Sequence, residues 1–95
     1  MSSGLFGGVA SYSVLIKTSA AKELEAAEPR ALRARIVSRI QRLVQTPRPR
    51  GSQKLAGEGE RYRIRQGRHR IVYSVDDARR IVEVVKIGHR REVYR

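Results

Sequence analysis

The run Arg61-Tyr-Arg-Ile-Arg-Gln-Gly-Arg-His-Arg70-Ile-Val-Tyr-Ser-Val-Asp-Asp-Ala-Arg-Arg80-Ile-Val-Glu-Val-Val-Lys-Ile87 decides the fold. Arg61 to Arg65 alternates strictly, so Tyr62 and Ile64 point to one face of a strand and three arginines to the other. Gln66-Gly67-Arg68 supplies a turn, and Arg70 to Val75 follows as a second, β-branched strand. Asp76-Asp77-Ala78 turns the chain again, and Ile81 to Ile87 is apolar enough to lie centrally in a sheet. These three segments predict an antiparallel meander, with Gly88 to Arg95 as a polar tail.

Working towards the N-terminus, Thr46-Pro-Arg-Pro-Arg-Gly51 reads as an extended basic loop. Before it, Leu32, Ile36, Ile40, Leu43 and Val44 recur every three or four residues, the spacing of an amphipathic helix from Pro29 to Gln45. Proline is well tolerated at such a helix start. A shorter helix is expected over Ala20 to Ala27, capped by Thr18 or Ser19, with Leu24 facing inward. Tyr12 to Lys17 is β-branched and aromatic and reads as a first strand. Residues 1–11 are rich in Gly and Ser, and are expected to form a flexible leader before a single domain over residues 12–95. The order is strand, two helices, then a mostly antiparallel three-stranded meander: an α+β fold.

The chain of 95 residues carries 21 Lys plus Arg against 9 Asp plus Glu, a formal charge of +12. Residues 30–54 hold seven arginines and Lys54 with no acid at all. Such a balance points to an anionic partner, nucleic acid first. Seventeen of the basic residues are Arg, whose planar fork matches phosphate oxygens and stacks on bases. The absence of cysteine excludes disulfides, thiolate zinc sites and a thiol nucleophile. With only His69 and His89, no metal or cofactor is expected. Neither a membrane span nor a secretory signal is read, and a cytoplasmic location is expected.

The same topology gathers basic side chains. Arg61, Arg63 and Arg65 share a face by period two, and Arg70 begins the next strand only a short turn away. His89 and Arg90 leave the third strand, and Tyr94 follows. Arginines with one His and one Tyr, and no carboxylate pair, suit phosphodiester chemistry on RNA, which carries its own nucleophile in the 2′-hydroxyl. Each piece also has an ordinary explanation: a solvated outer sheet face for the arginines, a lone surface imidazole for His89, an edge-packing ring for Tyr94. Tyr12, Tyr62 and Tyr73 read as core, and Glu58 and Glu60 as a loop's own charge balance. The residues alone lead to a basic α+β domain that binds nucleic acid.

The run Pro47-Arg-Pro-Arg-Gly-Ser-Gln-Lys-Leu-Ala-Gly57, with Tyr62-Arg-Ile-Arg65, Tyr73, Asp76-Asp77 and Gly88-His-Arg-Arg-Glu-Val-Tyr94, resembles the RelE toxins of the RelE/ParE superfamily. The resemblance runs from about Tyr12 to Arg95 and implies two helices packed on a mostly antiparallel sheet. It implies a ribosome-dependent, metal-independent mRNA endonuclease that cuts in the A site and is held inactive by an antitoxin. By position, Arg63 and Arg65 would hold the scissile phosphate and the mRNA backbone, and Arg70 would stabilise the pentavalent phosphate. Arg90 would serve the leaving group, and Tyr94 would stack on a base and help remove the 2′-hydroxyl proton. His89 stands where relatives carry Lys or His, as a possible acid or base. Lys54, Arg61, Arg68 and Arg91 would make the surrounding RNA contacts.

The resemblance also admits other readings: a ParE-like inhibitor of DNA gyrase, or a non-catalytic basic nucleic-acid-binding module. The ParE-like relatives generally lack the full arginine and tyrosine set. The expected partners are an acidic antitoxin, the ribosome and mRNA, with no membrane. No helix-turn-helix spacing is present, so operator DNA reading is not expected of this chain.

Overall fold

The computed structural model describes residues 11–57 and 59–89; most of the expected leader (1–11) lies outside them, as does the expected tail beyond His89, while Gly88 and His89 belong to a strand. The elements are β1 (Ser13–Ile16), α1 (Thr18–Ala26), α2 (Arg30–Arg42), β2 (Gln53–Lys54), β3 (Arg61–Gln66), β4 (His69–Asp76) and β5 (Ile81–His89). They form one five-stranded sheet in the order β1-β5-β4-β3-β2. The meander β3-β4-β5 is antiparallel, as its alternation and turns require. Two strands flank it: β1 joins β5 in parallel, and the two-residue β2 joins β3 antiparallel. Neither placement was legible in the sequence, whose periodicity assigns no element to Gln53–Lys54.

Helix α2 forms because Ile36, Ile40 and Leu43 stack along one face, and all three are buried. It ends three residues earlier than its periodicity predicts. The amides of Leu43, Val44 and Gln45 each bond a carbonyl three residues back, which tightens the last turn before Pro47. Helix α1 begins at Thr18 with Lys17 as its N-cap and makes no side-chain capping bond, so the expected Thr18 or Ser19 cap does not form. Its Ala20 is buried, as is Ala27 just past its end, while Leu24 packs in part against the core. Small residues there let the helix lie close to β5.

Both helices cover the same side of the sheet. Their apolar faces meet Tyr62, Ile64, Ile71, Tyr73, Val75, Val82, Val84 and Ile87 in one core cluster. Tyr62 and Tyr73 lie directly across the strand pair, with rings stacked 5.9 Å apart at 24°. The opposite face of the sheet carries the other phase of each strand.

A β-bulge interrupts that phase. Val72 pairs with Lys86, but the next residue, Tyr73, pairs with Val84, so Val85 has no partner across the ladder. One extra residue turns every later side chain to the other face. Val82 and Val84 face the helices before the bulge, and Ile87 faces them after it. Uninterrupted alternation would have sent Lys86 into the core.

Candidate nucleic-acid interface

On β3 the core takes Tyr62 and Ile64, which leaves Arg61, Arg63 and Arg65 on the face away from the helices. A two-residue loop joins β3 to β4, with Gly67 at φ 61° as its first residue. That conformation suits glycine and fits a type II′ hairpin. The tight loop sets the register that places Arg65 directly opposite Arg70. Directly opposed residues stand roughly 5 Å apart at Cβ. Two guanidinium groups on adjacent positions repel one another, and an anion placed between them relieves that repulsion.

Arg70 has Gly88 on its other side in the ladder, so no side chain from β5 occupies the adjoining position. Arg70 is only 3% exposed, whereas Arg61 and Arg65 are open to solvent and Arg63 is half-buried. The site therefore joins accessible guanidiniums to a shielded one that takes part in local interactions. Charge is stronger where water is excluded. Among the described residues the acids of this face, Asp76 and Glu83, sit at its far end: Glu83 pairs with Ser74, four residues from Arg70. Four residues of strand span about 13 Å. Arg68 stands exposed at the tip of the hairpin loop.

The remaining expected residues fall elsewhere. The bulge turns His89 to the helix side, where it pairs with His69, with ring centroids 5.9 Å apart in an edge-on arrangement. It is therefore not brought together with Arg63, Arg65 and Arg70. Lys54 pairs in register with Tyr62 and shares that residue's face; its Nζ lies 2.8 Å from Glu60 Oε2. That contact, by hydrogen bond first, raises the ammonium pKa and lowers that of the carboxyl. Arg90, Arg91 and Tyr94 lie outside the described residues. No cluster of three or more His, Cys, Asp or Glu able to hold a metal occurs among the described residues.

Sequence reasoning missed one group. Arg48, counted simply as part of the basic loop, donates from Nε to the Tyr62 hydroxyl at 2.8 Å and from both Nη atoms to Asp77. Its guanidinium carbon lies 5.1 Å from the Tyr62 ring centroid. Tyr12 donates to the same Asp77 at 2.7 Å, and Tyr73 donates to the Pro47 carbonyl at 2.7 Å. Arg48 and then Tyr12 hold the Asp77 carboxyl below its ordinary range, while burial pushes the Tyr73 phenol up to about 12. Glu60 also accepts from Tyr62 at 3.3 Å, so it anchors the sheet edge as well as balancing loop charge. The only local signal was Pro on either side of Arg48, which stiffens a loop that must reach a fixed partner.

This architecture, a basic sheet face backed by two helices, is matched by small toxin domains of the type II toxin–antitoxin class. The family model for the ParE toxin of the type II toxin–antitoxin system parDE matches residues 14–94. Toxin RelG of Mycobacterium tuberculosis is 30% identical over 87 residues, spanning 88% of this chain and 97% of the relative. Solved structures agree. The isolated RelE toxin of E. coli superposes with a TM-score of 0.73 at 27% identity, covering 88% of this chain and 92% of that one. The toxin–antitoxin complex RelBE2 of M. tuberculosis gives 0.72 at 27% identity, covering 84% and 99%. The archaeal RelE–RelB complex of Pyrococcus horikoshii gives 0.72 at 27% identity, covering 84% and 96%. The chain belongs to the RelE/ParE superfamily and is a RelE-like toxin.

Proposed function

We propose that this toxin is a ribosome-dependent mRNA endonuclease that cuts the codon in the A site. The observation that carries the reading is the opposition of Arg65 and Arg70, flanked by Arg63 and by Gly88, on a sheet face whose acids lie at the far end. In the reaction the 2′-oxygen attacks the adjacent phosphorus as the bond to the 5′-oxygen breaks. The products are a 2′,3′-cyclic phosphate and a 5′-hydroxyl. The proton leaves the 2′-hydroxyl, and another is delivered to the departing 5′-oxygen. Arg63 and Arg65 hold the phosphate and backbone, and Arg70 offsets the charge that develops on the pentavalent phosphorus. By their position in the family pattern, Arg90 serves the leaving group, and Tyr94 stacks on a base and helps take up the 2′-hydroxyl proton. His89, which pairs with His69 on the other face, is assigned no step here.

Among the described residues the site is built of cations without a carboxylate base, and such a site relies on positioning, which the ribosome would supply by holding the codon in line. The chain's partner is proposed to be a cognate antitoxin, since relatives of the same fold form RelE–RelB complexes. A charge of +12 favours an acidic segment laid over the basic face. The test is mapping of mRNA 5′ ends after brief induction, comparing wild type with an Arg70→Ala/Tyr94→Ala variant. In-frame cuts that vanish in the variant are expected. Growth arrest without new mRNA ends would overturn the nuclease reading, and gyrase-linked DNA breaks would replace it with gyrase inhibition.

A further inference from the structure

β1 is shorter than the strand it pairs with. It ends at Ile16 opposite Val84, and Lys17 donates the last bond of that edge to the Val84 carbonyl. β5 continues to His89, so among the described residues its final positions have β4 on one side and no strand on the other. An unpaired amide at this point is costly, because Ile87 is buried. Glu23 of α1 fills the gap. Its Oε1 accepts the Ile87 amide at 2.9 Å, and its Oε2 accepts from Lys86 Nζ at 2.8 Å.

Core packing holds Ile87 in the main cluster, but the packing beneath the strand end is incomplete. A cavity of about 180 Å³ lies between α1 and the strand, lined by Glu23, Ala26, Ala27, His69, Ile87 and His89 among others. Ala26 and Ala27 leave part of the space unfilled, so the carboxylate adds a polar link from helix to strand where the packing is thin. What it holds matters to the site: the residue after Ile87 is Gly88, which faces Arg70, and the chain then runs on to Arg90.

We infer that Glu23 is a positioning residue for the nuclease site: its carboxylate takes the place of an edge strand beside Ile87 and fixes the end of β5 that sets Gly88 against Arg70. The inference rests on the nuclease reading for its effect on rate, though not for the clamp itself. Misplacing reacting groups by about 1 Å can cost about 100-fold in rate.

Two measurements test it on the full chain. The first is single-turnover cleavage on programmed ribosomes over a range of toxin concentrations, which separates the maximal rate from the half-saturating concentration. Glu23→Ala is expected to lower the maximal rate by about 10- to 100-fold, with half-saturation changed by no more than about threefold. Glu23→Gln keeps an acceptor for the Ile87 amide and is expected to recover most of that rate. The second is amide hydrogen exchange: in Glu23→Ala, residues 86–89 should exchange faster while residues 82–84 stay protected. Wild-type rate in Glu23→Ala, equal losses in the Gln and Ala variants, or uniformly faster exchange would each overturn the inference. If the wild-type toxin cuts no ribosome-bound mRNA, the nuclease reading and the rate effect fall together, and the exchange pattern still decides whether the clamp exists.

Discussion

Arg48 and Asp77 are joined by a two-pronged ion pair, Nη1 to Oδ1 at 3.2 Å and Nη2 to Oδ2 at 2.8 Å, across 29 residues of chain. The pair ties the loop after α2 to the turn between β4 and β5. Because Arg48 also bonds the Tyr62 hydroxyl and covers its ring, its removal strands several partners at once.

Arg48→Ala is therefore expected to lower Tm by about 4–8 °C, as a change of about 1 kcal/mol does in a domain of this size. Arg48→Lys restores charge but not the planar fork, and should recover only part of the loss. Thermal unfolding followed by circular dichroism checks both.

Acid should weaken the same region. Asp77 is held below 3.8 chiefly by Arg48, and Glu60 below 4.5 chiefly by Lys54. With depressed folded values, their stabilisation is complete above those ordinary values and is lost as pH falls through the lower folded ones. Tm is expected to fall steadily below about pH 4.5. An Asp77→Asn/Glu60→Gln variant should start lower at neutral pH and show a shallower acid slope.

Alkali has a different target. Tyr73 is raised from 10.0 to about 12, with burial the leading cause, and its hydroxyl donates to Pro47. A raised folded value means stability is complete below pH 10 and is lost as pH rises through about 12. Absorbance titration of the phenols should show one group ionising at about 12 that is absent in Tyr73→Phe.

Ile36 is fully buried where α2 meets the sheet. Ile36→Ala should cost about 2–5 kcal/mol by lost burial and cavity formation. That is a large share of the about 5–15 kcal/mol available to a small domain. Urea unfolding should report it as a lower midpoint with an unchanged slope.

Arg70→Ala is expected to cut the maximal cleavage rate by about 100- to 1,000-fold, the usual cost of removing one group that stabilises transition-state charge. Arg61→Ala should instead raise the half-saturating concentration and weaken its salt dependence, as expected for a backbone contact. A larger rate loss in Arg61→Ala than in Arg70→Ala would reverse those assignments.

Local periodicity determined much of this protein. Alternation at Tyr62 and Ile64 set the face of the arginine row, a short turn at Gly67 brought Arg70 near Arg65, and the spacing of Ile36, Ile40 and Leu43 defined the long helix. Each depends on neighbours within a turn or a hairpin, where geometry follows directly from residue order. Only the tertiary structure decided the rest. The bulge at Val85 moved His89 off the arginine face, because one unpaired residue reverses strand phase and apolar residues on both sides of it still satisfy the core. β1 came to lie parallel to β5, Arg48 became an anchor and Glu23 reached Ile87 across 64 residues. These contacts join groups far apart in the chain, and no repeat or spacing encodes them. They form because buried amides, and carboxylates brought out of bulk water, must find partners once the core has closed.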